Sequence, residues 1–279
     1  MKMDYKIVVD SCCELPKELL ADAKYQRVPL GLEVGDYQIQ DDENFNQKEF
    51  LQKVAACPVC PKSSCPSPEK YMEAYQTEAE SVYVVTLSSH LSGSHNSAVL
   101  GEKLYHEQYG DKNICIVDSQ SASGGETQIA LKIRDLEEMG LKFEEIVEKI
   151  KAFRDEMVTY FVLDNLETLR KNGRLSAVKA LVASTLNIKP LMAGDKGVIV
   201  QRGQSIGMKK ALNKLVDAIV AETKEGHNRL IISHCNALER AEQVKKSILE
   251  RRHFEEVLIM DTAGISSMYA NDGGIIVTA

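Results

Sequence analysis

The chain alternates short apolar runs with longer segments whose apolar residues recur at helical spacing. The clearest run, Ser81 to Leu87, reads as a buried parallel strand. It empties into Ser88-Ser89-His90-Leu91-Ser92-Gly93-Ser94, a hydroxyl-rich turn that feeds a helix from Ser94 to Tyr109, with Gly110 as its stop. Such a turn presents backbone N–H groups at the helix start beside Ser side chains. That setting suits a carboxylate or a phosphate.

The same alternation runs through the first half. Lys6 to Val9 reads as a strand, and Asp10-Ser11 at its end opens a helix over Lys17 to Ala23. Gln26 to Val34 reads as one strand, and Gln47 to Ala55 as a short helix. Cys57 to Pro68 holds four prolines and three serines, a loop composition. A helix from Glu69 to Glu80 precedes the Ser81 strand. Ile114 to Val117 is a further strand ending in Asp118-Ser119, and helices run from Gly124-Gly125 to Met139 and from Phe143 to Met157. This order predicts a parallel α/β sheet, with Asp10-Ser11 and Asp118-Ser119 at the strand ends where such sheets carry sites. Helix N-capping accounts for the same residues equally well.

Past residue 158 the pattern changes. Predicted strands at Thr159 to Leu163, Ile188 to Met192, Gly197 to Gln201, Arg229 to Ser233, Val257 to Met260 and Gly274 to Thr278 mix with helices at Asn165 to Leu169, Val178 to Leu186, Met208 to Lys224 and Ala237 to Arg251. Gly194-Asp195-Lys196-Gly197 is a hairpin signal. The expected architecture is two domains: an α/β unit over 1–158 and an α+β unit with a mixed sheet over 159–279.

Composition narrows the function classes. With 279 residues, 44% hydrophobic, 27% charged and a net charge of −7, the chain has no basic stripe for nucleic acid and no apolar run that would span a bilayer. A cytoplasmic protein is expected. Seven Cys without a secretory signal predict free thiols. Cys57-Pro58-Val59-Cys60, followed by Cys65, lacks the second ligand pair of a structural zinc site, so no metal and no cofactor are expected. G-x-S-x-G, Walker A, G-x-G-x-x-G and H-E-x-x-H motifs are absent. A serine hydrolase built on Ser92, with His90, His95 or His234 as base, is the enzyme alternative; a binder of some other anionic lipid is a third reading.

Six stretches in order resemble the bacterial DegV family of fatty-acid-binding proteins: Ile7-Val8-Val9-Asp10-Ser11, Lys62-Ser63-Ser64-Cys65-Pro66-Ser67, Leu87-Ser88-Ser89-His90-Leu91-Ser92-Gly93-Ser94, Val117-Asp118-Ser119, Asn172-Gly173-Arg174-Leu175-Ser176 and Asn187-Ile188-Lys189-Pro190. The resemblance covers nearly the whole chain. It implies a long-chain fatty acid held in a tunnel between two domains, its carboxylate bound by hydroxyls that match Ser63 and Ser92. Ser64, Gly93 and Ser94 flank these positions, and Arg174 matches an arginine near the head group. Some members present the acid to a separate ATP-dependent kinase; lipid transport is the other role considered. Three departures stand out. Ser63 replaces a Thr, Cys65 replaces a Gln, and near the C-terminus Ala270 and Asp272 replace a His and the first Gly of Gly-Pro-Gly. The resemblance thus predicts a missing donor at Ala270, with Asp272 as a candidate partner for Arg174.

The energetic division of labour follows from chemistry alone. A buried sixteen-carbon chain grosses roughly 10 kcal/mol before ordering costs. A hydroxyl contact to a carboxylate adds about 1.5–3 kcal/mol. The tail should set affinity and the serines orientation.

Overall fold

Six consecutive buried residues form β1 (Tyr5–Asp10), the centre of the first sheet. The computed structural model describes residues 4–176, 178 and 187–279. After α1 (Lys17–Leu20), the chain returns as β2 (Tyr25–Val28), parallel to β1. The single strand expected over Gln26 to Val34 is in fact two strands in two sheets. Pro29 has no N–H to continue a ladder, and the Leu30 N–H donates to Ser11 Oγ at 3.0 Å, so the chain turns there. It then forms β3 (Gly31–Val34) and β4 (Tyr37–Gln40). After α2 (Gln47–Ala56), three residues of the expected loop form β5 (Lys62–Ser64), which pairs antiparallel with β3, Ser63 opposite Leu32.

The helix predicted over Glu69 to Glu80 is shorter, α3 (Pro68–Tyr75), because the chain then turns to hydrogen-bond Asp4 O from the Glu80 and Ser81 amides. β6 (Ser81–Thr86), α4 (Ser94–Tyr109), β7 (Asn113–Asp118), α5 (Gly124–Glu138) and α6 (Phe143–Glu156) follow. The parallel sheet has the order β2-β1-β6-β7. One face packs on α5 and α6 through Ile129, Ile133, Ile146 and Ile150; the other packs on α3 and α4 through Tyr71, Tyr75 and Ala98.

The second half builds one sheet of order β10-β9-β8-β13-β11-β12. Its strands are β8 (Thr159–Val162), β9 (Ile188–Asp195), β10 (Val198–Ile206), β11 (Arg229–His234), β12 (Glu256–Asp261) and β13 (Ile275–Thr278). Only β11 and β12 pair in parallel; the sheet is mixed, as expected. The β9–β10 hairpin turns on Lys196 and Gly197, both at positive φ. Helices α7 (Glu167–Lys171), α8 (Met208–Glu222), α9 (Leu238–Leu249) and α10 (Gly264–Ala270) complete the half. The sequence pattern offered no sign of α10. The helix expected over Val178 to Leu186 lies, apart from Val178, outside the described residues.

Helix α5 joins the two sheets. Residues 124 to 131 are all buried, and Gly124 packs so closely that a β-carbon there would meet Ile231 Cγ2 at 2.8 Å. Gln128 Nε2 donates to Arg229 O and Thr278 O, and Arg229 spans Asp135 of α5 and Glu256 of β12.

Candidate functional site

Two cavities meet at Arg174. The inner one is apolar, walled by Leu87, Leu91, Phe161, Leu163, Leu169, Ile199, Ile265, Ala270 and Ile276, and so draws on both halves of the chain. The outer one is a polar depression lined by Ser89, His90, Ser92, Gly93, His95, Asn96, Asn172 and Gly173. Arg174 and Leu91 line both. An amphipathic ligand with its charge in the outer depression and its chain in the inner cavity would pass Arg174.

Arg174 is held by its own turn. Nε donates to Leu91 O at 3.1 Å and Nη1 to Asn172 O at 2.5 Å. Asn172 Nδ2 in turn donates to Pro61 O at 2.9 Å, tying the turn to the segment that leads into β5. The guanidinium lies over the Tyr269 ring, 5.7 Å from its centroid, a cation–π arrangement. The Tyr269 hydroxyl shares a 3.2 Å hydrogen bond with Ser63 Oγ. Burial pushes the Tyr269 phenol above its ordinary value, so it stays protonated and able to donate.

Helix α10 carries Tyr269, and a distant carboxylate anchors it. Asp41 accepts from Gly264 N at 2.7 Å and Ile265 N at 2.9 Å, satisfying two amides of the first turn. The fit demands glycine: a β-carbon on residue 264 would lie 2.6 Å from Asp41 Oδ1. Burial raises Asp41 to about 6, with both amides opposing that rise.

The residues singled out in the sequence fall into three groups. Ser92, Gly93 and Arg174 line the outer depression. Ser63 does not line it and reaches the site through Tyr269, while Ser64, its neighbour on β5, is exposed. Cys65 brings the two segments together, its Sγ 3.1 Å from where a Gly93 β-carbon would be. Ser94 is fully buried and faces inward. Its hydroxyl donates to Asp10 Oδ2 at 2.7 Å and meets Tyr71 Oη at 2.6 Å, so it braces the turn from beneath. Ser92 Oγ accepts from Ser94 N at 3.2 Å. Among the described residues no His hydrogen-bonds Ser92; His95 Nδ1 is paired with Thr86 and His234 Nδ1 with Ala237 N.

One expectation at the C-terminus changes. Asp272 does not pair with Arg174; its carboxylate accepts from Asn236 Nδ2 at 2.9 Å. Ala270 lines the inner cavity, buried with Phe161, Leu163, Leu169 and Met192, so the residue at this position faces apolar surroundings. The hydroxyl on that side comes from Tyr269, which the reading of the sequence passed over.

Cys57, Cys60 and Cys65 have separate surroundings, near Gly35, Asn172 and Ser97 respectively. Among the described residues no group of three His, Cys, Asp or Glu is arranged to hold a metal, and no helix is long and apolar enough to cross a membrane.

The chain is similar to several known proteins over nearly its whole length. A DegV-domain protein of Streptococcus gordonii is 34% identical over 98% of both chains. A DegV-family crystal structure from Ruminococcus gnavus, described with vaccenic acid, is 50% identical, covers 100% of both chains and superposes with a TM-score of 0.97. The Streptococcus pneumoniae fatty acid kinase (Fak) B3 protein loaded with linoleic acid is 32% identical, covers 99% of both chains and superposes at 0.90. The DegV family model matches residues 4–278, and the chain belongs to the DegV family.

Proposed function

We propose that this protein binds one long-chain fatty acid, with the carboxylate at Arg174 and the acyl chain in the inner apolar cavity. The observation that carries the reading is the position of Arg174 in the walls of both cavities. Ser92 and Gly93 flank the carboxylate on one side. Tyr269 and Ser63 flank it on the other, Tyr269 supplying the donor that Ala270 lacks, while Ser64 and Ser94 support the two segments. The halves 1–158 and 159–279 act as two domains closing over the chain. Relatives crystallised with vaccenic and linoleic acid support this ligand class.

The protein acts in the cytoplasm as a carrier, and its chemistry partner is a separate ATP-dependent kinase that phosphorylates the presented carboxylate. The name of the pneumococcal relative supports that role. The outer depression leaves a carboxylate at Arg174 open to such a partner. Organic extraction of purified protein followed by mass spectrometry tests the reading. A long-chain fatty acid in near one-to-one ratio is expected. An empty extract, together with no uptake of added palmitate or oleate, would refute it.

A further inference from the structure

The inner cavity carries a second chemical feature besides Arg174. The segment Ser119 to Ser123 links β7 to α5, and Ser123, its last residue, lines the cavity. Ser123 has φ 57° and ψ −130°, a combination that side-chain-bearing residues rarely adopt. The turn closes tightly enough that a β-carbon on Gly125 would collide with the Ser121 side chain. Strand, strained serine, helix, and small residues two positions before and after the serine together describe a nucleophile elbow. Ser121-Ala122-Ser123-Gly124-Gly125 differs from G-x-S-x-G only in having Ser at the first small position, so a search for paired glycines passes it by.

The surroundings of the hydroxyl support chemistry. Ser123 Oγ donates to Glu14 Oε2 at 2.6 Å. Glu14 is fixed by Ser233 Oγ at 3.3 Å and Ala263 N at 3.3 Å. The amide after the serine, Gly124 N–H, has no acceptor among the described residues, which leaves it free to serve as the donor an oxyanion requires.

We propose that Ser123 is the nucleophile of an acyl-ester hydrolase activity housed in the lipid cavity, with Glu14 as its general base. The substrate class is a long-chain acyl ester whose chain occupies the same cavity, so the proposal rests on the lipid-binding reading. Ser123 Oγ attacks the ester carbonyl carbon and the Oγ–C bond forms as the hydroxyl proton passes to Glu14. The carbonyl carbon's bond to the alcohol oxygen breaks, and the alcohol leaves with that proton. Water then attacks the acyl-serine carbon and gives a proton to Glu14. The bond from that carbon to Oγ breaks, and Oγ takes the proton back. One ester and one water become one fatty acid and one alcohol, and the fatty acid is the product the cavity retains. Burial lifts Glu14 to about 7, where it can both accept and return a proton near neutrality.

The test uses a hexadecyl fluorophosphonate and intact-mass spectrometry on the delipidated protein. One adduct per chain, mapped to Ser123 and suppressed by excess palmitate, is expected. Glu14→Gln should slow labelling by about 100-fold, the lower end of what a positioned general base contributes. Ser123→Gly relieves the backbone strain and should abolish labelling, with a circular dichroism melt no lower than that of wild type showing that the variant folds. No adduct on wild type that binds palmitate normally, or an adduct on another residue, overturns the nucleophile assignment and leaves the lipid-binding reading intact. Loss of palmitate binding by wild type refutes both.

Discussion

Arg174 lies over the ring of Tyr269, its Cζ 5.7 Å from the centroid, so the cation at the cavity mouth rests on a side chain from helix α10. Two carbonyls and the ring hold the guanidinium in place before any ligand arrives. Preorganisation of this kind reduces the ordering cost of binding.

Arg174→Ala should therefore weaken palmitate binding by about 10- to 100-fold, the range of a lost charge-assisted contact. Binding of methyl palmitate, which has no carboxylate, should be almost unchanged. Displacement of a fluorescent fatty acid by each ligand measures both. Equal losses for the two ligands would place Arg174 in fold maintenance instead.

Tyr269→Phe removes the hydroxyl that meets Ser63 and keeps the ring under Arg174. A loss of about 1 kcal/mol in affinity is expected, with thermal stability nearly unchanged. Ser63→Ala in the Tyr269→Phe background should add little, because the two hydroxyls form one linked contact. An additive double mutant would separate them.

Ala270→His places a ring among Phe161, Leu163, Leu169 and Met192. Overpacking should destabilise the protein by about 1–3 kcal/mol. It should also narrow the cavity, shortening the preferred acyl chain. Urea unfolding and a chain-length series measure the two effects. A variant that gains affinity for long chains would contradict this packing argument.

Glu14 links stability to pH. Burial raises it from 4.5 to about 7 in the folded protein, so the native state holds a proton that the unfolded chain releases near 4.5. Burial raises Asp10, Asp41 and Glu126 in the same direction. Stability should thus fall as pH rises through that window, by roughly 3 kcal/mol for Glu14 alone. Glu14→Gln should flatten the slope between about pH 4.5 and pH 7 in urea midpoints. An unchanged slope would assign it to the other buried acids.

Gly264→Ala sets a methyl group against Asp41 Oδ1 and Leu32 Cδ1. It should cost about 1–3 kcal/mol and loosen α10, lowering palmitate affinity as Tyr269 shifts. Circular dichroism melts and the same displacement titration detect both effects.

Local signals were legible in the sequence. The β6 run, the turn after it, the Lys196-Gly197 hairpin and the helix over Met208 to Glu222 all follow from periodicity and turn chemistry. What was not legible depends on residues far apart. β5 is three residues in a proline-rich stretch, and it is a strand only because β3 offers it an edge. Helix α10 has seven residues, and Asp41, 223 positions away, supplies its N-terminal acceptor. Tyr269 belongs to none of the motifs, and helix α10 sets it between Ser63 and Arg174. At the candidate site, Ser92 and Arg174 were readable as motif residues. The inward orientation of Ser94 was not, since it depends on Tyr71 and Asp10 closing beneath the turn.

The strand order of the second sheet has a consequence for biosynthesis. β13 inserts between β8 and β11, pairing Val162 with Ile275, and its Ile276 forms part of the cavity wall. A nascent chain that has made β8 through β12 still lacks the strand that joins them and one wall of its inner cavity. Contacts of such long sequence separation form late. Lipid should therefore be acquired after translation has passed this strand, and ribosome-bound chains stalled before residue 275 should carry none.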